Sequence, residues 1–247
     1  MRRLVVFGDS FPHGWYLKRK GELEGLVDPR PFPIILSEML GCEVVNRGRH
    51  GHSNFAIMSD FVDWVEKQDT SNDAFLICWS AMDRATYRNS EKKHRFFGYE
   101  YQLAVERFGF VDKSDTIHDP HFTKLQSMGA YHTVKNLCKE KNIPYLMTNS
   151  VCHQGQMDKL NGVEFNRYYP KDDPNWIEPQ NNWNTLSDII QEWWLKDIPK
   201  PDIYLWRQLL IQHRNKRFVR EDYHPNEEGH RLIAETLSPY IKKIVEE

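Results

Sequence analysis

Short runs of apolar and β-branched residues, bounded by polar or turn-forming residues, recur along the chain. Runs of this kind are typical of strands that are buried on both faces of a parallel sheet. The predicted strands are residues 4–7, 43–46, 74–79, 144–148 and, with a weaker pattern, 202–205. The sequence therefore predicts a five-stranded sheet.

Segments with apolar residues at helical spacing separate these runs. Residues 32–40 place their apolar side chains on one face and are followed by Gly41, a residue suited to a helix C-cap. Residues 53–67 form a second amphipathic segment, with Ser53 in the position of an N-cap. Further helices are predicted at residues 131–141, 186–195 and 227–245. The alternation of strands and helices predicts an α/β fold, with helices covering both faces of a parallel sheet.

Two long stretches fit neither pattern. Residues 84–128 are dense in Tyr, Phe, His and charged residues, and residues 152–182 are rich in Pro, Asn and Asp. Each follows a predicted strand, so both are expected to leave the carboxyl edge of the sheet, where the first strand also ends. No Gly/Ser-rich linker interrupts the chain. We therefore expect a single domain over residues 1–247, with two insertions over that edge.

Composition excludes several classes of partner. The 247 residues carry a net charge of −2, and no block of like charge is long enough for a nucleic-acid or membrane-surface patch. The apolar run near residue 4 is too short for a signal peptide, and no segment approaches the length of a transmembrane helix. Cys42, Cys78 and Cys138 lie in apolar patterns without CxxC spacing, which indicates reduced, packed thiols. We therefore expect a cytoplasmic protein.

Residues that can carry chemistry stand near both ends of the chain. Gly8, Asp9 and Ser10 follow the first predicted strand, at the edge where an open α/β sheet places its active site. Asp222 and His224 come shortly before the last predicted helix. A serine hydroxyl becomes a nucleophile when an imidazole removes its proton and a carboxylate orients that imidazole. Ser10, His224 and Asp222 are therefore the candidate catalytic residues.

A glycine-containing turn follows the second predicted strand. Asn46, Gly48 and Gly51 lie in this turn at the spacing NxGxxG. A glycine in a tight turn can aim its backbone N–H at a developing oxyanion, because no side chain stands in the way. We therefore expect Gly51 to line an oxyanion hole beside Ser10, and Asp9 to border the same pocket.

These blocks together resemble those of a known family. Gly8-Asp9-Ser10, Asn46-x-Gly48-x-x-Gly51 and Asp222-x-His224-Pro225 are similar to three motifs of the SGNH (GDSL) hydrolase superfamily. The resemblance covers the core elements and fails across both insertions. It implies a flavodoxin-like, three-layer α/β/α sandwich in which Ser10 attacks an ester or acyl group, His224 is the base, and no cofactor is needed. It also implies an oxyanion hole made by the serine N–H, a glycine N–H and an Asn side chain.

The remaining block departs from the family pattern. Ser80 stands where the family has glycine, and Met82 stands where it has the oxyanion Asn. Methionine cannot donate a hydrogen bond, so a working hydrolase needs another donor. We expect Asn54 to supply it, because Asn54 and Gly51 share one strand-to-helix turn. Ser80 and Arg84 are the alternatives, and an ordinary first-turn role for Asn54 is equally consistent with the sequence.

The acidic partner of His224 is open between two residues. The family most often places Asp three residues before the histidine, a position that Glu221 fills here. Asp222, two residues before the histidine, matches a shorter version of the motif. We favour Asp222 and keep Glu221 as the alternative.

Other histidines and aromatic residues raise the questions of a metal site and of a sugar-binding site. His50 and His52 bracket Gly51, but neither this pair nor the other histidines have the spacing of a zinc motif, so no metal site is predicted. Several aromatic side chains are of the type that stacks on a sugar, although core packing, above all for Trp193 and Trp194, is the more usual role. They are Tyr168, Tyr169, Trp176, Trp183, Trp193 and Trp194.

The sequence therefore predicts a serine-dependent esterase or deacylase. Its substrate would be an acyl ester, for example an O-acetyl group, of a small molecule or a carbohydrate. The alternative is a binding protein on the same scaffold. The missing Asn of the third block favours that alternative, and the presence of Ser10 and His224 opposes it.

Overall fold

The helices and strands of the protein follow one another in an alternating α/β order. The computed structural model describes residues 1–17, 25–80, 85–88, 94–97, 120–150, 173–177, 186, 189–190, 217–220 and 224–246. The elements are β1 (Arg3–Gly8), α1 (Ser10–His13), β2 (Trp15–Leu17), β3 (Gly25–Val27), α2 (Phe32–Leu40), β4 (Val44–Gly48), α3 (Asn54–Lys67), β5 (Asp73–Trp79), β6 (Ala85–Arg88), β7 (His94–Phe97), α4 (Pro120–Glu140), β8 (Tyr145–Asn149) and α5 (Glu227–Glu246).

The central sheet is parallel and has the strand order β4-β1-β5-β8. In its register, Gly8 at the end of β1 lies opposite Gly48 of β4 and Cys78 of β5. The carboxyl ends of these strands therefore meet at one edge, directly before Ser10. Four of the five predicted strands are present in the described residues, and the fifth, at 202–205, lies outside them.

Helices cover both faces of this sheet. Along β1, Leu4 and Val6 pack into the cluster formed with α2 and α5, whereas Val5 and Phe7 pack into the cluster formed with α3 and α4. All four side chains are fully buried. Because alternate residues of a strand point to opposite faces, β1 is buried on both sides. The predicted α/β/α sandwich is therefore confirmed, with four rather than five parallel strands described.

Local capping explains where two of the predicted helices begin and end. Gly41 adopts the left-handed conformation (φ 66°) and donates to the carbonyl of Ser37, which closes α2. The Ser53 hydroxyl accepts a hydrogen bond from the backbone N–H of Ala56 at 3.3 Å, which starts α3. Both boundaries agree with those expected from the sequence.

Helix α4 is longer than the sequence predicted. It begins at Pro120, inside the stretch 84–128 that was expected to contain no core element, and β6 and β7 form an antiparallel hairpin in the same stretch. In the first half of α4 polar and apolar residues are mixed, and the apolar Leu125 is exposed while the polar Ser127 is buried, so the helical apolar pattern is weak there. The rest of 84–128, and all of 152–182 except 173–177, lies outside the described residues.

The described cysteines are buried thiols. Cys42, Cys78 and Cys138 are buried and free, as predicted, and burial raises the pKa of each thiol. Cys152 lies outside the described residues. Within the described part of the chain, none of the helices combines the length and the apolar character needed to cross a lipid bilayer.

Candidate active site

Ser10 is held at the carboxyl edge of the sheet by the short helix α1. Asp9 caps this helix, because its Oδ1 accepts a hydrogen bond from the N–H of Phe11 at 3.1 Å. Gly14 (φ 75°) ends it by donating to the carbonyl oxygens of Ser10 and Phe11. With a Cβ, this left-handed backbone conformation would be strained. The turn from β1 into α1 therefore fixes where the Ser10 side chain lies.

The structure brings Ser10 and His224 together across 214 positions of sequence. Ser10 Oγ lies 2.9 Å from Nε2 of His224, which is a hydrogen-bonding distance. Ser10 is 3% exposed. The His224 ring lies edge-on to Trp15, with centroids 5.2 Å apart, and 5.9 Å from the ring of Phe11. Two aromatic side chains thus pack against the imidazole that contacts Ser10.

Asp9 and Ser80 form a buried hydrogen bond next to the turn that connects β1 to α1. Asp9 is fully buried, and its second carboxylate oxygen accepts a hydrogen bond from the Ser80 hydroxyl at 2.8 Å. The carboxylate therefore links the first turn of α1 to the end of β5. Asp9 was expected to border the substrate pocket, and these two hydrogen bonds give it a bracing role.

The expected role of Asn54 as oxyanion donor is not what the structure shows. Its Nδ2 donates to Ser127 Oγ at 3.1 Å and to Tyr131 OH at 3.3 Å, so both amide protons are used. Its Oδ1 accepts from the backbone N–H of Ser80 at 2.7 Å, and the side chain is fully buried. Asn54 thus joins α3 to α4 and to the end of β5.

Of the two alternative oxyanion donors, the structure describes only Ser80. The hydroxyl of Ser80 donates to Asp9 and its N–H donates to Asn54, so neither group is directed at an oxyanion. Arg84 and Met82 lie outside the described residues. Glu221 and Asp222, the two candidates for the acid that would orient His224, also lie outside the described residues.

The end of β4, with the turn that follows it, packs against helix α1. Asn46 Nδ2 donates to the carbonyl of Pro12 at 2.6 Å, while Asn46 Oδ1 accepts from the N–H of Gly48 at 3.0 Å. A Cβ at Gly48 would lie 2.6 Å from the backbone nitrogen of His13, so glycine is required for this close approach. Gly51 follows with φ 75°. The turn is therefore fixed beside the end of β1, where an oxyanion donor would be needed.

The histidines around Gly51 have other contacts. His50 stacks on Trp15 with ring centroids 3.5 Å apart. His52 is 5% exposed and its Nδ1 lies 3.8 Å from Asp60 Oδ2; burial lowers its pKa to about 4 although Asp60 opposes the shift. His52 is thus neutral near pH 7. Within the described residues, no group of three His, Cys, Asp or Glu side chains is arranged to hold a metal ion.

Sequence reasoning missed the hairpin β2–β3 and the residues that it brings to the site. Trp15 lies in β2, and Gly25 in β3 leaves room for its ring, because a Cβ there would lie 1.8 Å from the indole nitrogen. Three-residue strands contain too few positions for an alternating pattern to stand out. The Trp15 side chain would have been the available signal, since it lies only five residues after Ser10 in the sequence.

Comparison with known proteins identifies the fold. No protein-family model and no curated protein matches the sequence. A lipolytic protein of the G-D-S-L family from Desulfitobacterium hafniense DCB-2 is 14% identical, with a TM-score of 0.52 over 97% of this chain and 99% of its own. The psychrotrophic esterase EstA from Pseudoalteromonas sp. is 10% identical, with a TM-score of 0.52 over 100% of both chains. The likeness is one of fold, and the chain has the SGNH hydrolase-like fold that its three sequence blocks implied.

Proposed function

We propose that this protein is a serine-dependent ester hydrolase. The observation that carries the proposal is the contact of 2.9 Å between Ser10 Oγ and His224 Nε2, at the carboxyl edge of a parallel sheet. A serine hydroxyl in this position can lose its proton to the imidazole as it attacks a carbonyl carbon. The esterase name of one structure with the same fold supports this class of reaction.

The first half of the reaction would acylate Ser10. Ser10 Oγ attacks the ester carbonyl carbon while its proton moves to His224 Nε2, which forms a tetrahedral oxyanion and an imidazolium. His224 then returns that proton to the alkoxide oxygen as the ester C–O bond breaks. The alcohol leaves, and the acyl group remains on Ser10. This sequence requires the tautomer of His224 that carries its proton on Nδ1.

The second half would release the acid. Water attacks the acyl carbon, and His224 Nε2 takes the proton from the water. Collapse of the second tetrahedral intermediate breaks the bond to Ser10 Oγ, and His224 returns the proton to that oxygen. The products are a carboxylic acid and an alcohol, and the enzyme is restored without a cofactor.

Backbone donors would stabilise the oxyanion in this proposal. The Ser10 N–H and the Gly51 N–H are the candidates, since the Asn54 amide and the Ser80 donors bind other protein groups. Removing one oxyanion donor from a comparable hydrolase costs roughly 3–4 kcal/mol of transition-state stabilisation. With two backbone donors, we expect slower turnover than an enzyme with a third, side-chain donor would reach.

Asp222 is our assignment for the acid that orients His224, and Glu221 is the alternative. A carboxylate at Nδ1 would hold the required tautomer and stabilise the imidazolium.

For the substrate, we propose a carboxylic ester of a small molecule or a carbohydrate, such as an O-acetyl ester. Trp176, one of the proposed stacking residues, packs against Tyr131 with centroids 5.9 Å apart. The other proposed stacking residues lie outside the described residues and stay candidates: Tyr168, Tyr169, Trp183, Trp193 and Trp194.

Labelling and turnover test the proposal together. A fluorophosphonate should form an Oγ–P bond with Ser10 and release fluoride, and p-nitrophenyl acetate should be hydrolysed. Ser10→Ala should abolish labelling and lower kcat by about 10³-fold or more, because the nucleophile is removed. Asp222→Asn should lower kcat more than Glu221→Gln. Ser71→Ala is the control, since Ser71 is an exposed serine at the opposite edge of the sheet.

The second candidate is a binding protein on the same scaffold. It is favoured by the engagement of Asn54 and Ser80 in structural hydrogen bonds. A binding protein would neither label at Ser10 nor hydrolyse acetyl esters. Hydrolysis at the parent rate by Ser10→Ala would reject the serine mechanism, and absence of both labelling and turnover in the parent would favour the binding protein.

A further inference from the structure

The contact between Ser10 and His224 joins two parts of the chain that are far apart in sequence. Ser10 begins α1, directly after β1, whereas His224 lies in the segment that precedes α5. The hydrogen bond between them can persist only if another contact fixes that segment against the α1 side of the molecule. Misplacement of a catalytic group by about 1 Å can cost about 10²-fold in rate.

Arg220 holds the segment that carries His224. Its backbone N–H donates to the carbonyl of His224 at 2.8 Å, and its Nε donates to the carbonyl of Pro225 at 3.2 Å. An antiparallel bridge between Val219 and Pro225 lies alongside. Arg220 is therefore bonded to the His224 segment through both its main chain and its side chain.

The same guanidinium reaches the elements around Ser10. Its terminal nitrogen lies 2.7 Å from Asp28 Oδ2, and its central carbon lies 3.7 Å from the centroid of the Tyr16 ring. The backbone N–H of Asp28 donates to the carbonyl of Gly14 at 2.8 Å, and Gly14 caps the helix that begins at Ser10. A continuous path of hydrogen bonds thus runs from the Ser10 helix to the His224 backbone.

Burial makes this ion pair different from those on the surface. The Asp28 side chain is 5% exposed and that of Arg220 is 27% exposed, and the N–H of Arg30 also donates to Asp28 Oδ1 at 3.0 Å. Surface pairs are screened by water and constrain little. The Arg220 guanidinium bonds Pro225 and Asp28 from two nitrogens that are fixed in one plane, whereas a lysine side chain has a single, freely rotating donor nitrogen. The pair is therefore suited to fixing a distance.

We infer that Asp28 and Arg220 are positioning residues that set the separation between Ser10 and His224. This inference rests on the proposed function of that pair as nucleophile and base. The two residues act through His224 and Gly14 and have no role in the bond-making steps.

Substitution at Arg220 tests the inference. Arg220→Gln should lower kcat for p-nitrophenyl acetate by about 10- to 100-fold while KM changes by less than about twofold, because His224 moves and the substrate contacts remain. Asp28→Asn should act in the same direction. Arg220→Lys should be intermediate, since lysine keeps the charge but has one donor nitrogen in place of the two that bond Pro225 and Asp28. The purified variants are first compared with the parent by circular dichroism. Kinetic results are then taken from each of the three variants that has the circular dichroism spectrum of the parent.

Arg217→Gln is the matched control. Arg217 lies in the same segment and pairs with Glu228 at 3.0 Å, but its side chain is 69% exposed. We expect its kcat to stay within about twofold of the parent value. The inference is overturned if the folded Arg220 and Asp28 variants also stay within about twofold, or if only KM changes.

Crystal structures of the parent and of Arg220→Gln separate this inference from the proposed function. If the parent and Arg217→Gln show neither labelling nor turnover, the hydrolase proposal fails, and the distance alone decides the positioning role. We expect the Ser10 Oγ to His224 Nε2 separation to exceed about 3.5 Å in Arg220→Gln, beyond hydrogen-bonding range. A separation unchanged from that of the parent would overturn the inference.

Discussion

At the scale of single residues, Asn54 shows how much one buried amide can connect. It accepts from the backbone of Ser80 at the end of β5 and donates to Ser127 and Tyr131 of α4. A buried donor or acceptor that loses its partner costs about 1–3 kcal/mol. These bonds indicate that Asn54 stabilises the contact between α3, α4 and the end of β5. The sequence had instead predicted that Asn54 takes part in catalysis.

We predict that Asn54→Ala lowers the free energy of unfolding by about 3 kcal/mol, because the Ser80 N–H loses its acceptor and the bonds from the amide to Ser127 and Tyr131 are lost. Urea unfolding at neutral pH measures this change. Phe55→Ala is the control, since Phe55 is the next residue of α3 and is 45% exposed. An unfolding free energy of Asn54→Ala within about 0.5 kcal/mol of the parent would contradict the bonding role.

Sequence motifs pointed to Ser10 and His224, but they did not reveal the side-chain contacts of Asn54 and Asp28. Ser10 and His224 were predicted because each stands at the end of an element that the apolar pattern reveals. The direction of the Asn54 side chain depends on Tyr131 and Ser127, which no motif connects to it. Asp28 is 192 positions from its partner Arg220, and no spacing rule links them.

At the scale of elements, the hairpin β2–β3 depends on a glycine. Trp15 is stacked on His50 and its indole occupies the space next to Gly25, where an added Cβ would lie 1.8 Å from the indole nitrogen. Gly129 in α4 is the opposite case, because a Cβ there would meet nothing within 4 Å. Two glycines in one chain thus differ in whether a methyl group can be accommodated.

We predict that Gly25→Ala destabilises the protein by about 1–3 kcal/mol and lowers turnover, because Trp15 must move away from His224. Gly129→Ala should stabilise it by about 0.5–1 kcal/mol, since alanine favours the helix. Thermal unfolding and hydrolysis of p-nitrophenyl acetate measure both effects. Equal stability changes in the two variants would show that Gly25 is not needed for the packing of Trp15.

The elements that were predicted share a strong apolar pattern. Helices α2, α3 and α5 and all four described sheet strands bury one or both faces against the core clusters, so apolar residues recur at their characteristic spacing. The hairpins β2–β3 and β6–β7 and the first half of α4 lack such a pattern. Short strands and polar helix ends are held by tertiary contacts, which a single sequence does not display.

At the scale of the whole molecule, the three-layer arrangement buries two histidines beside charged groups. His230 lies in α5, is 1% exposed, and has its pKa lowered to about 4 by burial, against the opposing influence of Asp28. His52 lies between β4 and α3, and burial likewise lowers its pKa to about 4. Both are therefore neutral in the folded protein near pH 7.

This arrangement makes the stability of the fold depend on pH. In the unfolded chain, a histidine binds a proton below about pH 6.5, whereas in the folded protein His52 and His230 do so only near pH 4. Between these values the unfolded state holds more protons, so acidification favours unfolding. Each shift corresponds to a loss of up to about 3 kcal/mol once both states are protonated.

We predict that the free energy of unfolding falls as the pH is lowered from 7 to 4.5. His230→Phe should make this fall smaller without abolishing it, because it removes one histidine whose pKa is lowered by burial while His13 and His52 remain. Urea unfolding at both pH values measures the slope. His132→Gln is the control, since His132 is exposed on α4 and its removal should leave the slope unchanged. If His230→Phe keeps the full pH dependence while His132→Gln loses part of it, burial of His230 does not cause the acid sensitivity of the fold.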